Sequence, residues 1–309
     1  MEVNNTTHHG FILLGFSDMP DLRIPLFSAF MAAYILCIVG NFTIAMLIIS
    51  QPQHQCPMLF LMGNLAFVDI CLPSITIPRA LYGLISGDTY ISVHGCFLQL
   101  FFFLALGNMD SFILAIMAFD RYAAVCHPLR YLNIMSRKTC ICLVASSWVI
   151  VSLHSALYAI MTSSQVNCKW VIHHFFCDLP VLMLLSCKES SNLEQIGVFV
   201  ECAIIVLSPG FFILVSYILI VRAVLKLQTS KGRWKTFSTC SSHLTIVTIY
   251  YSALIFGYFR PNSMYSPAND RFITIVFCFF IPLINPFIYS MRNKQVTSGV
   301  KKVLPQASS

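Results

Sequence analysis

Several charged side chains lie inside long apolar runs of this sequence, and these are the residues most able to bind ions or transfer protons. If the runs lie in a membrane, a carboxylate within them must be protonated, paired or bound to a cation. Asp69 and Asp110 belong to consecutive runs, so the two acids can face one interior cavity. Two close carboxylates favour a shared proton or a small cation such as Na⁺, and Asn285 could complete the site. The alternative is two acids that are hydrogen-bonded separately.

A second polar cluster, Asp120–Arg121, ends an apolar run that extends from about Val93 to Met117. That run is long enough to cross a bilayer. An ionised arginine at its end is costly unless it is paired or reaches the headgroups, and Asp120 is the neighbouring counter-charge. Pro128 disfavours further helix. We therefore expect an ion pair between Asp120 and Arg121 where the helix meets water; the alternative is an ordinary snorkelling arginine.

Glu201 is a further acid within an apolar run, about two turns before Pro209. An acid there is expensive unless it faces water or a cationic partner. One interpretation is a counter-charge for a basic or strongly hydrogen-bond-donating ligand. The other is a protonated acid bonded to a neighbouring helix.

The sequence carries no arrangement that predicts an enzyme. It has neither a Gly-x-Ser-x-Gly nor a His-Glu-x-x-His pattern. One segment offers metal-ligating side chains in His173, His174, Cys177 and Asp178. If Cys177 is disulfide-bonded it cannot supply a thiolate, so we expect no cofactor except the candidate sodium ion.

Composition shows which elements must position these residues. The 309-residue chain is 57% hydrophobic and only 10% charged, with a mean hydropathy of +0.77, whereas soluble domains carry roughly 25% charged residues. Seven apolar runs have about the length of a membrane-spanning helix. They lie at roughly 26–50, 58–82, 93–119, 140–162, 196–221, 237–259 and 271–291. We predict an all-α membrane protein: a seven-transmembrane helix bundle over 26–292, preceded by a tail at 1–25.

Charge in the connecting segments predicts the orientation. Lysine and arginine are concentrated after the first, third and fifth runs and in the C-terminal tail, so these segments should be cytoplasmic. The N-terminus is then extracellular, as expected for a multi-pass protein of the plasma membrane. The net charge of +7 indicates topology and contact with anionic lipids; no aromatic-interleaved basic patch predicts nucleic-acid binding.

The terminal segments and cysteines add further predictions. Asn4 and Asn5 begin overlapping glycosylation acceptors, and Phe11–Phe16 is too short an apolar run for a signal peptide. Apolar residues alternating with Lys301 and Lys302 predict a cytoplasmic amphipathic helix and tail over 293–309. Four cysteines face an oxidising compartment, and their three possible pairings stay open at this point. They are Cys96, Cys168, Cys177 and Cys187.

Several long motifs resemble those of odorant receptors, a branch of the rhodopsin-like G-protein-coupled receptors. Met117–Cys126 is similar to that family's Met-Ala-Tyr-Asp-Arg-Tyr-Val-Ala-Ile-Cys, with Phe119 in place of tyrosine. Lys235–Leu244 resembles Lys-Ala-Phe-x-Thr-Cys-x-Ser-His-Leu, and Pro282–Asn293 resembles Pro-x-Leu-Asn-Pro-x-Ile-Tyr-Ser-Leu-Arg-Asn. The first inner loop departs from the family pattern, since Leu59 replaces a tyrosine. The resemblance covers essentially the whole chain.

This resemblance implies a receptor that binds a small volatile odorant within the bundle and activates a stimulatory, olfactory-type heterotrimeric G protein, which raises cyclic AMP. It also implies the disulfides Cys96–Cys177 and Cys168–Cys187. The runner-up is a non-olfactory rhodopsin-like receptor for another small ligand. A transporter would predict internal repeats, which the sequence lacks, and the odd number of spans speaks against one.

Site residues follow from helical spacing and from family position. Spacing groups five residues along one side of the third span, and the resemblance adds positions in the fifth and sixth spans. The predicted ligand-binding residues are Phe103, Leu104, Gly107, Asn108, Ser111, Glu201, Ile205, Tyr251, Leu254 and Tyr258. The predicted activation and G-protein-coupling residues are Asp120, Arg121, Tyr122, Tyr217, Lys235, His243, Asn285, Pro286 and Tyr289.

Overall fold

The computed structural model describes residues 10–17, 19–50, 56–164, 169–185, 192–226, 229–258 and 266–292. Several predictions lie outside these residues: glycosylation at Asn4 and Asn5, the disulfide Cys168–Cys187, and the amphipathic helix and tail over 293–309.

Seven helices are long and apolar enough to cross a membrane within the described residues, which confirms the predicted seven-transmembrane bundle. Each helix matches one apolar run, and most of the helix ends lie beyond the ends predicted from the sequence. Polar residues continue the helix where the chain leaves the hydrocarbon, because their side chains can meet water and headgroups. The helices are α1 Arg23–Ile49, α2 Pro57–Ser86, α3 Val93–Cys126, α4 Arg137–Ser163, α5 Asn192–Leu225, α6 Ser230–Tyr258 and α7, which comprises Pro267–Ile275 and Ile281–Arg292 joined by the π-helical turn Val276–Phe280.

Local sequence signals mark where several helices begin and end. The Ser92 side chain accepts a hydrogen bond from the Gly95 backbone N–H at 3.1 Å and caps the start of α3. Ser136 caps α4 in the same way. Gly87 ends α2 in the left-handed region, at φ 72°, where a side chain would be strained.

Helices α1 and α7 meet where a proline leaves a backbone carbonyl free. Pro286 has no N–H to offer the carbonyl of Pro282, four residues earlier. The Asn41 side chain on α1 donates to that carbonyl at 2.9 Å. Gly40 permits the approach, because a Cβ there would lie 3.5 Å from the Pro286 ring. The Asn41 side chain therefore joins α1 to α7 and satisfies the carbonyl that Pro286 leaves without a helical donor.

A small three-stranded sheet, which the sequence analysis did not predict, covers one end of the bundle. Its strands are β1 Gly10–Leu13, β2 Tyr90–Ser92 and β3 Val171–Ile172, in the order β2-β1-β3. Strand β1 runs antiparallel to β2, with Phe11 opposite Ile91, and parallel to β3. The Phe11 side chain is fully buried. Residues assigned to a tail therefore close over the bundle.

The disulfide Cys96–Cys177 ties this end together, with the two Cα atoms 5.4 Å apart. It joins the first turn of α3 to the segment after β3, as the family resemblance implied. Helix α3 is the most enclosed of the seven spans and provides the wall against which the candidate site is built.

Candidate functional site

Asp69 on α2 and Asn285 on α7 form the polar centre of the bundle interior. The Asn285 side-chain amide donates to both Asp69 carboxylate oxygens, at 3.0 and 2.9 Å. Asp69 is fully buried. Two further buried oxygens, Asp110 Oδ1 and Asn285 Oδ1, have no hydrogen-bond partner among the described residues. Carboxylate and amide oxygens without donors suit a small hard cation, so the residues fit the candidate sodium ion.

The predicted ion pair between Asp120 and Arg121 is wrong. In the described part of the chain these two residues form no ion pair within 4.0 Å. Consecutive residues on a helix point in different directions, so Asp120 and Arg121 do not face each other. The Tyr131 hydroxyl instead donates to Asp120 Oδ1 at 2.7 Å.

Tyr131 lies beyond the end of α3, in the short helix Tyr131–Ile134. Burial and the neighbouring Asp120 carboxylate raise the pKa of Tyr131 above its ordinary value. The hydroxyl therefore keeps its proton at neutral pH and acts as the donor. Arg121 Nε is buried without a hydrogen-bond partner among the described residues, so its guanidinium is not fixed through that atom.

His243 on α6 connects three helices. Its Nε2 lies 3.0 Å from the Leu114 carbonyl oxygen on α3, and its Nδ1 lies 2.8 Å from the Tyr217 hydroxyl on α5. A carbonyl can only accept, so Nε2 donates, and in the neutral ring Nδ1 accepts from Tyr217. The predicted activation residues Tyr217 and His243 are thus in direct contact. Tyr122 is not part of this network; its hydroxyl meets His127 Nε2 at 3.1 Å.

Aromatic rings fill the upper interior, where the ligand was expected. Phe103 on α3 packs against Phe176 at 4.7 Å and against Phe277 on α7 at 6.1 Å, measured between ring centroids. A cavity of about 10 Å³ remains beside them, which is room for about one water molecule. It is lined by Phe103, Asp178, Ala253, Gly257, Asp270, Ile273, Thr274 and Phe277.

Of the predicted ligand-binding residues whose side chains the structure describes, only Phe103 lines that cavity. Asn108 and Ser111 are buried, but the Ser111 hydroxyl donates to the Asn108 carbonyl of its own helix at 2.8 Å. Tyr251 packs on α5, where a Cβ on Gly210 would lie 2.7 Å from Tyr251 Cε1. Leu254 and Gly107 are buried, whereas Leu104 and Ile205 are half-buried. The side chains of four predicted residues are outside the described part: Glu201, Tyr258, Lys235 and Tyr289.

The sequence analysis missed the loop residues that close the cavity. Phe176 and Asp178 flank Cys177, whose disulfide to α3 holds them over the bundle interior. Their adjacency to that cysteine was the signal that could have found them. Cys177 is consumed by this bond, so the metal-binding interpretation of the segment is wrong for its thiolate.

His174, in the same loop and outside the spanning helices, is fully buried against Phe175 and Phe176. Burial and the nearby Arg271 guanidinium lower the pKa of His174 to about 3. Arg271 donates to the Gly15 carbonyl and lies 5.4 Å from the centroid of the Phe16 ring. The N-terminal segment, the loop and α7 are therefore packed together above the cavity around a neutral imidazole.

A second cavity, of about 210 Å³, lies between the N-terminal segment and the ends of α1 and α2. Two arginines line it. Arg23 Nε and Nη2 donate to the Leu84 carbonyl at 3.0 and 2.7 Å, and Arg79 pairs with Asp88. The Arg23 bonds hold the end of α2 against α1, and the Arg79–Asp88 pair joins α2 to the loop that follows it, which gives both arginines a structural role.

The fold and this interior define a class: a heptahelical membrane receptor, in which a polar centre lies between a cavity at the covered end and a hydrogen-bonded cluster at the other. Comparison with known proteins identifies the family. A model of the olfactory receptor family matches residues 30–307.

Named relatives agree with this match along the whole chain. Olfactory receptor 1L6 of Homo sapiens is 42% identical over 98% of this chain and 88% of its own length. Olfactory receptor 1L4 of Homo sapiens is 41% identical, and the olfactory receptor-like protein OLF1 of Canis lupus familiaris is 42% identical, each over 98% of both chains. The chain belongs to the olfactory receptor family and is an odorant receptor.

Proposed function

We propose that this receptor binds a small volatile ligand between α3, α5, α6 and α7 and activates a stimulatory, olfactory-type G protein, which raises cyclic AMP. The observation that carries the proposal is the aromatic packing of Phe103, Phe176 and Phe277 around a cavity of about 10 Å³. Ligand pockets normally enclose roughly 300–1,000 Å³. A ligand must therefore displace these rings, and their displacement in turn shifts the helices that carry them.

Activation is a shift between two arrangements of the bundle. A ligand that binds the open arrangement more tightly increases its population, and the G protein, which binds the same arrangement, is reciprocally coupled to it. The Arg121 guanidinium and the basic start of α6 then face a cleft at the cytoplasmic end. An acidic or amphipathic helix of the G protein is a suitable partner for that surface.

The direct test is a screen of volatile compounds, with amines and acids included, on cells that express the receptor and a stimulatory G protein. We expect at least one volatile to raise cyclic AMP, and Arg121→Ala at equal surface amount to abolish that response. If a peptide or hormone raises cyclic AMP while every volatile fails, the non-olfactory receptor is correct. An undiminished response of Arg121→Ala would contradict the proposed coupling surface.

We also propose that Na⁺ binds beside Asp69 and Asp110. Support comes from the buried oxygens of Asp110 and Asn285 that have no donor among the described residues. Sodium chloride should raise the thermal stability of purified receptor more than potassium chloride at the same ionic strength. Asp110→Asn should remove that difference. Equal effects of the two salts on the unaltered receptor would refute the site.

The proposed orientation has an extracellular N-terminus and a cytoplasmic C-terminus in the plasma membrane, based on the distribution of lysine and arginine. An N-terminal epitope should be stained on intact cells, and a C-terminal epitope only after permeabilisation. The reverse pattern would overturn this orientation and the proposed coupling surface with it.

A further inference from the structure

Helix α6 is bonded to two backbone carbonyls of α3. His243 donates to the Leu114 carbonyl at 3.0 Å, and the Tyr250 hydroxyl donates to the Gly107 carbonyl at 2.6 Å. The two donors are seven residues apart on α6, and the two acceptors are seven residues apart on α3, in the opposite direction. Seven residues are about two helical turns, so both donors project from one face of α6 onto one face of α3.

The hydrogen bond between Tyr250 and Gly107 is buried among aromatic rings. Tyr250 is 1% exposed, and its ring packs against Phe277 and Tyr251, at 5.3 and 5.2 Å between centroids. Gly107 lets the rings come close, because a Cβ there would lie 3.3 Å from Phe277 Cε1. The Tyr250 hydroxyl therefore reaches the Gly107 carbonyl directly, and the same aromatic rings exclude water from this hydrogen bond.

We propose that Tyr250 is a positioning residue that holds α6 against α3 in the resting receptor and sets how much the receptor signals without ligand. The Tyr250 ring touches Phe277, which lines the ligand cavity, so displacement of Phe277 by a ligand disturbs the bond to Gly107. The bond thus links the cavity to the separation of α6 from α3. This inference rests on the proposed activation of a G protein.

The size of the effect follows from the bond's setting. Interhelical hydrogen bonds in membranes contribute enough to change an equilibrium by roughly three- to twentyfold. If the bond exists only in the closed arrangement, its loss raises the open population by that factor. A bond that persists in both arrangements would change nothing.

Tyr250→Phe keeps the ring and removes the hydroxyl, so it tests the hydrogen bonding of Tyr250 apart from its ring packing. We expect ligand-independent cyclic AMP to rise roughly three- to twentyfold at equal surface amount. The matched control is Tyr34→Phe, which removes an interhelical bond of 2.9 Å between Tyr34 and Ser74 on α1 and α2. It should leave the ligand-independent signal unchanged. An equal rise in both variants, or a rise in neither, would overturn the proposal.

A second measurement needs no G protein. Spin labels at Leu129→Cys and Phe237→Cys, both exposed positions near the cytoplasmic ends of α3 and α6, report the separation of these helices in purified receptor. Tyr250→Phe should shift the ligand-free distance distribution toward longer values, and Tyr34→Phe should not. An unchanged distribution refutes the inference. A shifted distribution in a receptor that never raises cyclic AMP would support the role of the Tyr250–Gly107 bond in holding α6 against α3. It would contradict the proposed G-protein coupling instead.

Discussion

At the scale of single residues, buried polar side chains of this bundle often use backbone carbonyls as partners. Asn41, His243 and Tyr250 each donate to a carbonyl on another helix. Carbonyls keep a second lone pair after forming the helical bond, and the membrane offers no water to replace a lost partner. These three contacts therefore determine where α1, α6 and α7 sit.

Asn41→Ala should lower the free energy of unfolding by about 1–2 kcal/mol, because the Pro282 carbonyl loses its donor inside the bundle. Thermal unfolding of purified receptor checks this. The control is Thr43→Ala, since Thr43 is exposed and bonds only within its own helix to Val39. Its effect should stay within about 0.5 kcal/mol. Equal effects of the two substitutions would show that the α1–α7 bond contributes little.

The sequence located most of the polar residues correctly but not all of their partners. Asp120 was assigned to Arg121 and is bonded to Tyr131, because the rotation of a side chain about its helix is invisible in a motif. Asn285 was expected to complete the site of Asp69, and its amide does donate to that carboxylate. An apolar run predicts that a helix exists, whereas a partner depends on how two helices face each other.

At the scale of elements, helices α5 and α6 meet at a glycine. A methyl group on Gly210 would lie 2.7 Å from Tyr251 Cε1 and 3.0 Å from Cζ, so the ring would have to move. Such overpacking typically costs about 1–3 kcal/mol.

Gly210→Ala should therefore weaken the potency of an activating volatile by about tenfold at equal cell-surface expression, because it displaces Tyr251, a predicted ligand-binding residue. A concentration–response curve of cyclic AMP measures this. Gly63→Ala is the matched control, since the nearest side-chain atom, Ile48 Cγ2, would be 3.9 Å away. A Gly210→Ala curve that overlies that of the unaltered receptor would remove Tyr251 from the mechanism.

The loop over the cavity should respond to acid. Burial and Arg271 lower the pKa of His174 to about 3, below the unfolded value of about 6.5. The unfolded state then binds more protons between these values, so stability is fully present above about pH 6.5 and declines as pH falls. At pH 5 the loss is about 2 kcal/mol.

His174→Gln should flatten this dependence of thermal stability between pH 7.5 and 5, whereas His173→Gln, at an exposed position, should keep it. The same slope in both variants would show that another group carries the dependence.

The small sheet shows why the elements at this end could not be predicted. Strands β1 to β3 are only two to four residues long; β1 pairs with β2 across about 80 residues and with β3 across about 160. Short runs such as Phe11–Leu13 carry no period that distinguishes a strand from a tail. Seven runs near twenty residues carry enough information to predict the helices.

At the scale of the whole molecule, three contacts follow one another along α3: the Phe103 ring beside the cavity, the Gly107 carbonyl bonded to Tyr250 and the Leu114 carbonyl bonded to His243. The two ends of the receptor are therefore coupled if α6 separates from α3 when a ligand displaces the rings. The proposed coupling between ligand and G protein depends on that movement.

The most direct test measures the distance between spin labels at Leu129→Cys and Phe237→Cys in purified receptor, with and without a volatile that raises cyclic AMP in the screen. The account predicts a longer distance with the activating volatile and no change with an inactive volatile of similar size. An unchanged distance in the presence of a volatile that still raises cyclic AMP would contradict it.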